Sequence, residues 1–324
     1  MTVIFFSCID EKRDDCGEVS VGFDYSYNIL SSNAFAEQVN KVTLYMFDQN
    51  GTLVWKEASG EMNFTNDYKM IIPDPKVGEY KFVAWAQSNK LKEDDADFKI
   101  PDLIVGASVL DDLSYYVRRN SGIQNKELNN LLIGATDVSI NGGLSSQHIE
   151  IPLKKVNNKI RIVLLPSTEN EGLDINNFNI NIVDNIGNGH LRYDYSLLRD
   201  EPISYQPYYA ANVTPRPSEI LSPNELQQAA VAEINVSRMQ IREQNVDNIR
   251  LQITSKKTQE EIVSVNLPWF FSLISMESHK NWDLQEYLDR QDEYSITLFL
   301  SQGTWMQATI IINGWVINNL SIGM

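Results

Sequence analysis

Apolar and polar residues alternate with a period of two along most of this chain, the spacing of strands half-buried on a sheet. Val19, Val21, Phe23, Tyr25 and Tyr27 share one face of a first strand. Residues 41–48 (KVTLYMFD) alternate again, with Val42, Leu44 and Met46 on one side and Thr43, Tyr45 and Phe47 on the other. Asp48-Gln49-Asn50-Gly51 then supplies a hairpin turn into residues 52–55. Residues 69–72, closed by Pro73, and 79–86 (EYKFVAWA), entered through Gly78, add two strands. The polar, acidic stretch 88–101 reads as an excursion from the sheet. From 110 to 132 the spacing changes: Leu110, Leu113, Tyr116, Val117 and then Leu128, Leu131 and Leu132 recur at helical intervals. This predicts helical segments covering the sheet, split at Asn120-Ser121-Gly122. Strands resume at 137–140 and, after an Asn141-Gly142-Gly143 turn, at 148–153.

A second cycle begins near Lys154. Residues 159–165 (KIRIVLL) repeat the character of 41–48, and 178–183 followed by Asp184-Asn185-Ile186-Gly187-Asn188-Gly189 repeat the hairpin. Residues 205–223, punctuated by Pro207, Pro215, Pro217 and Pro223, read as loop, and 224–232 (NELQQAAVA) as one short helix. Strands are expected at 234–239, 248–254 and 261–267, and a helix at 282–290 (WDLQEYLDR). Two long strands, 293–300 and 306–312, follow, with 315–317 beyond them. The expected fold is all-β, mainly strand with short helices, arranged as two successive sandwich-like domains, 19–153 and 154–324.

Length agrees with that division, since 324 residues correspond to about two domains of roughly 150 residues, each able to bury a core without disulfide staples. Acidic residues number 43 against 27 basic ones, giving a net charge of -16 that repels phosphate backbones and argues against a nucleic-acid partner. After the first residues no apolar run approaches the 18 or so needed for a spanning helix, so attachment to a membrane has to come through the N-terminus.

There the run Val3, Ile4, Phe5, Phe6 ends in Ser7-Cys8, and the composition turns at once to charge, with Asp10, Glu11, Lys12, Arg13, Asp14 and Asp15 close behind. A small residue before a cysteine, preceded by apolar residues, resembles the lipobox of bacterial lipoproteins, in which the cysteine becomes the acylated N-terminus. Under that reading 1–7 are a residual signal peptide, 8–18 a lipidated acidic tether, and Cys8 carries covalent lipid. Under the plainer reading Cys8 and Cys16, the two cysteines of the chain, are free thiols or one local disulfide.

Catalytic signatures are absent from the sequence. His148, His190 and His279 lie far apart, with no HExxH, G-x-S-x-G or glycine-rich phosphate loop. Glu93, Asp94, Asp95 and Asp97 lack the glycine and terminal glutamate of a calcium loop. Asp283 with Glu286, and Asp289 with Asp292 and Glu293, could in principle serve glycoside chemistry, but acids on a charged helix face are expected to be solvated. No enzyme activity, metal site or cofactor is expected. A ligand-binding platform is the stronger competitor, built from Trp269, Phe270 and Phe271 and from Tyr205, Tyr208 and Tyr209, provided these rings are exposed.

Specific wording goes further than periodicity. EQVNKVTLYMFDQNGTLV at 37–54, GEYKFVAWA at 78–86, VNNKIRIVL at 156–164, QEYLDRQDEYSITLFL at 285–300 and IIINGWVI at 310–317 resemble the fimbrillin-associated anchor proteins. These are Gram-negative outer-membrane lipoproteins. The resemblance implies two tandem transthyretin-like β-sandwich domains and a lipid-anchored place at the cell surface. It also implies attachment of the base of a polymeric fimbria, with a fimbrial shaft subunit as partner and a possible role in limiting fibre length. A surface binding module or accessory adhesin for glycan or host protein is the alternative. In the family's terms Cys8 is the acylated cysteine, Cys16 matches a second cysteine without an assigned role, and the run from Asp10 to Asp15 is similar to surface-export segments. Pilin attachment is most simply achieved by β-augmentation. Ile310, Ile312, Trp315 and Ile317 have the composition for it, or else fill their own domain's core.

Overall fold

The computed structural model describes residues 18–88, 98–141, 145–166, 173–213, 228–242, 249–272, 279, 281–301, 304–312 and 315–320, and from 301 onward the backbone alone. The first half carries β1 (Val19–Asp24), α1 (Phe35–Gln38), β2 (Lys41–Asp48), β3 (Leu53–Ala58), β4 (Lys69–Ile72), β5 (Gly78–Gln87), β6 (Phe98–Lys99), β7 (Ser114–Val117), β8 (Ile123–Gln124), β9 (Leu131–Ile140) and β10 (Gln147–Pro152). Then come β11 (Lys154–Lys155), β12 (Asn157–Pro166), β13 (Phe178–Asp184), β14 (His190–Arg192), β15 (Ile203–Tyr205), β16 (Tyr209–Val213), β17 (Ala229–Ser237), β18 (Arg250–Ser255) and β19 (Glu261–Asn266). Two short helices, α2 (Leu267–Ser272) and α3 (Leu284–Arg290), precede the closing strands β20 (Glu293–Ser301), β21 (Thr304–Ile312) and β22 (Trp315–Leu320). The protein is mostly β, as its alternation predicts.

In the first half the sheet β10-β1-β4 faces the sheet β11-β9-β5-β2-β3. Val42, Leu44 and Met46 point from β2 into the core between them, with Val21, Phe23, Phe35, Phe82 and Ile151. Tyr45 and Phe47 point the other way, into a second core that continues through Trp85, Leu113, Tyr115 and Val117 to Ile160, Ile162 and Leu164. Both faces of β2 are therefore covered, which explains why it has so little polar surface. The Asp48–Gly51 turn forms as expected: the Asp48 carboxylate accepts from the backbone N–H of Asn50 and Thr52, each at 2.9 Å, and Gly51 adopts φ +75°. Only a residue that tolerates the left-handed region closes a turn this way.

In the second half the sheet β16-β17-β12-β20-β21-β22 lies over β19-β18-β13-β15-β8. Ile160, Ile162, Leu164, Ile234, Ile296 and Leu298 of the first meet Ile180, Ile182, Leu251, Ile253 and Val263 of the second in one buried cluster. β12 runs parallel to β20 and β1 parallel to β10. Strands also pair across position 153/154: β14 with β7 antiparallel, and β15 with β8 parallel.

Three expectations are corrected. Residues 110–132 contain no helical cover, only a single 3-10 turn (Leu110–Asp112), then β7, β8 and the start of β9. Leu113, Tyr115 and Val117 are wholly buried at period two, and their coincidence with a helical interval through Leu110 misleads. The helix expected over 224–232 is instead, in its described part, the beginning of β17, where Ala229, Ala230, Val231 and Ala232 are all buried. A strand covered on both faces shows no alternation. The loop expected over 205–223 includes β16 in its described part, Tyr205 being the last residue of β15. The acids Glu93 to Asp97, residues 142–144 of the Asn-Gly-Gly turn, and residues 214–227 lie outside the described residues.

Candidate functional site

The stretch WDLQEYLDR folds locally for clear reasons. Asp283 caps α3, its carboxylate accepting from the Glu286 backbone N–H at 2.7 Å, and Glu286 pairs with Arg290 one turn on at 2.8 Å. Tyr287 and Leu288 are buried, and so is Asp289, whose side chain is 1% exposed. This overturns the solvated reading of Asp289. Arg238, at the end of β17, donates to both of its oxygens, Nε to Oδ1 at 2.7 Å and Nη2 to Oδ2 at 2.8 Å. Lys154 adds a third bond at 2.8 Å, and Gln285 a fourth at 3.0 Å.

Two cations against one buried carboxylate leave positive charge, and aromatic faces take it up. The Lys154 ammonium lies 4.7 Å from the Tyr27 ring centre and 4.6 Å from that of Tyr195, and the Arg238 guanidinium 5.4 Å from Tyr195. Arg290 stacks over Tyr27 at 4.0 Å and over Trp282 at 4.7 Å, and reaches the Ser26 carbonyl at 3.5 Å. Burial, with the charges of Asp289 and Glu286, pushes the Tyr27 phenol up to about 12, and burial pushes Tyr195 up as well. Both rings thus stay neutral at physiological pH. Beside them Lys155 binds Asp292 at 2.5 Å. Five separate stretches of chain, at 26–27, 154–155, 195, 238 and 282–292, meet in this joint at the point where β10 hands over to β11.

A seam of amides continues from it. The Asn157 side chain accepts from the Leu131 N–H and donates to the Asn129 carbonyl, both at 3.1 Å. Asn235 accepts from Leu128 N–H at 3.1 Å, and Asn158 donates to the Gln291 carbonyl at 3.2 Å. The seam borders a polar cleft of about 160 Å³ whose walls include Asn129, Asn130, Asn157, Asn235, Lys155 and Glu293. Sequence reading singled out VNNKIRIVL and QEYLDRQDEYSITLFL as wording but not as partners. In the fold they pair directly, β12 against β20, with the Lys159 N–H bound to the Asp292 carbonyl at 2.8 Å.

The expected attachment residues lie at the far side of the same sheet. In the strand register Ile310 is opposite both Ile296 and Ile317, and Ile312 is opposite Trp315, so the four positions share the sheet face of Ile296. β22 pairs with β21 alone among the described strands and is one edge of the six-stranded sheet; β16 is the other. Cys8 and Cys16 lie outside the described residues.

The aromatic platform does not assemble as drawn from sequence. Phe270, Phe271 and Tyr205 are wholly buried and Tyr208 is half-buried with its hydroxyl on Glu233 at 2.8 Å, leaving Trp269 and Tyr209 exposed. His148 bonds Ser20 and Glu150, His190 faces Ser114, and His279 stacks on Trp282. Among the described residues no group of three or more His, Cys, Asp or Glu could hold a metal, and no helix is long and apolar enough to cross a membrane.

A structure from Bacteroides thetaiotaomicron, assigned as a candidate polysaccharide-binding protein, is 33% identical over 93% of this chain and 97% of its own, with a TM-score of 0.74. A candidate adhesin from the same organism is 27% identical over 93% and 98%, with a TM-score of 0.78. The fimbrial anchor protein Mfa2 of Porphyromonas gingivalis shares the fold, with a TM-score of 0.65 at 17% identity over 94% and 99%. No match is found among curated proteins. The sequence profile of the fimbrillin-A associated anchor proteins Mfa1 and Mfa2 matches residues 13–321. The chain accordingly belongs to the fimbrillin-A associated anchor protein family, whose members are structural components of fimbriae at the cell surface.

Proposed function

We propose that this protein is an outer-membrane lipoprotein that holds the base of a fimbria at the cell surface and limits the length of the fibre. The observation that carries the reading is the family match, which runs almost end to end from residue 13. Covalent lipid on Cys8 is the attachment, and residues 9–18 are a hydrophilic spacer between the lipid and β1. One acyl chain holds a protein only marginally, at about 0.8 kcal/mol per buried methylene, so durable anchoring takes more than one chain. A lipoprotein-type acylated cysteine supplies them.

Two tandem transthyretin-like sandwiches, divided near 153/154, form the body. The fimbrial shaft subunit docks by β-augmentation on the edge strand β22, whose outer side has no partner strand among the described residues and so offers a ladder to an added strand. Ile310, Ile312, Trp315 and Ile317 belong to this interface. A second reading, an accessory adhesin that binds polysaccharide, draws support from the 33% identical candidate polysaccharide-binding protein and from the exposed Trp269 and Tyr209.

The deciding experiment is mass spectrometry of membrane-extracted protein, produced with its full upstream region, beside a Cys8→Ser variant whose fimbriae are fractionated. The anchor reading expects a chain that begins at Cys8 with acyl groups and a variant shed with its fibres. An unmodified, soluble native chain overturns it and leaves the adhesin reading in front.

A further inference from the structure

The strand that follows the tether lies parallel to the strand that leads out of the first sandwich. β1 and β10 run side by side from Val19 opposite Gln147 to Asp24 opposite Pro152, and the ladder extends from the Gln147 N–H on the Glu18 carbonyl, at 2.9 Å, to the Leu153 N–H on the Asp24 carbonyl, at 2.7 Å. On its other side β1 pairs antiparallel with β4, Val19 opposite Ile72 through Gly22 opposite Lys69, so it is bonded along both edges.

A tether that ends at residue 18 pulls on the N-terminal end of β1. The chain leaves β10 at its C-terminal end, which in a parallel pair lies at the opposite end of the ladder. Load entering at Val19 and leaving after Pro152 therefore acts along the strand axis in opposite directions on neighbouring strands. Every hydrogen bond of the ladder is stretched together, and none is exposed to the full load in turn as it would be if the strands were peeled apart from one end.

The far end of the ladder sits on the ionic joint. Ser26 and Tyr27, just past β1, are held by Arg290; Lys154, just past β10, is held by Asp289. Arg290 and Asp289 both belong to α3, which runs into β20, a strand bonded on both sides between β12 and β21 within the sheet that ends at β22.

From this connectivity we infer that the protein is a load-bearing element: tension on the N-terminal tether is carried in shear through the parallel β1–β10 ladder and passed by Asp289 and Arg290 to the six-stranded sheet. The inference rests on the anchor reading for the origin of the load, and its geometry is measurable apart from lipidation. Glu18, Ser145 and Pro152 are exposed positions that accept cysteine handles. In the full chain with Cys8→Ser and Cys16→Ser, one variant carries Glu18→Cys and Pro152→Cys, the other Glu18→Cys and Ser145→Cys. Matching thermal midpoints and circular dichroism spectra establish that both are folded.

Single-molecule pulling at one loading rate is expected to need severalfold more force across 18 and 152, where the ladder is sheared, than across 18 and 145, where it is unzipped. Equal forces, or a weaker 18–152 pair, overturn the inference while leaving acylation of Cys8 untouched. An unacylated Cys8 with the force ratio intact overturns only the anchor reading.

Discussion

Asp289 is the residue on which the joint turns. It has Arg238, Lys154 and Gln285 as partners, and its side chain is 1% exposed. Replacing it by Asn keeps the shape and removes the charge, leaving the buried Arg238 guanidinium and the partly buried Lys154 ammonium without this counter-ion. Breaking one side of such a pair costs about 3–5 kcal/mol, whereas exchanging the whole pair for apolar side chains of similar volume is often neutral. Asp289→Asn is therefore expected to lower the free energy of unfolding by that amount in urea titrations. The triple variant Lys154→Met, Arg238→Met and Asp289→Leu, which replaces the whole ionic group, recovers most of the loss. A single variant within about 1 kcal/mol of the parent would show that the joint is solvated after all and contributes no more than a surface pair. From sequence Asp289 reads as one acid of a charged helix, because its cations come from positions 154 and 238, far along the chain. Sequence spacing carries no trace of a partner that only the tertiary fold supplies.

At the scale of elements, legibility followed the number of faces a strand buries. β12 announces itself through alternation, β2, covered on both faces, through the turn chemistry at Asp48–Gly51 that follows it, and α3 through its cap and its i, i+4 pair. β17 and β7 do not: the first is covered on both faces, and the second takes its partners, β14 and β6, from loops with little pattern of their own. The last strand is a different case, since its position at an edge cannot be read from composition at all. IIINGWVI reads equally well as an inner strand, and the backbone register puts Ile310 on the face of the buried Ile296 while leaving β22 with one neighbour among the described strands. Those two facts separate a role for the side chains from a role for the backbone edge. Deleting residues 313–324 removes β22 and hands the edge to β21. Attachment of fimbriae to cells, scored by electron microscopy and by the fimbrial protein released to the medium, is expected to fall sharply while circular dichroism keeps its β signal. Full attachment by a folded deletion variant excludes β22 as the docking edge.

For the whole molecule, the question is whether the two halves are independent. Composition alone suggests that they are, because each has length enough for a core. The contacts argue otherwise. β7 has β14 as a partner from beyond position 154, and β8 has β15. Arg119 of the first half and Asp200 of the second form a buried pair, the side chains 5% and 2% exposed. The Tyr115 hydroxyl bonds Ser237 at 3.1 Å and the Val156 carbonyl at 3.3 Å, and one apolar cluster runs from Tyr45 and Trp85 through to Ile296. A fragment ending at 153 would expose Leu113, Tyr115 and Val117, each wholly buried in the full chain, and strip β7 and β8 of these partners. Burial of an aliphatic side chain is worth about 1.5–3 kcal/mol against a net stability of about 5–15 kcal/mol for a domain, so the loss is a large share of what holds the fragment together. The full chain is thus expected to unfold in one calorimetric transition with matching van't Hoff and calorimetric enthalpies. The fragment 19–153 is expected to bind a hydrophobic dye and to give a poorly dispersed amide spectrum. A fragment that melts cooperatively by itself would mean that the first sandwich closes without its borrowed strands, and that tension reaching the joint meets a hinge between two bodies instead of one continuous core.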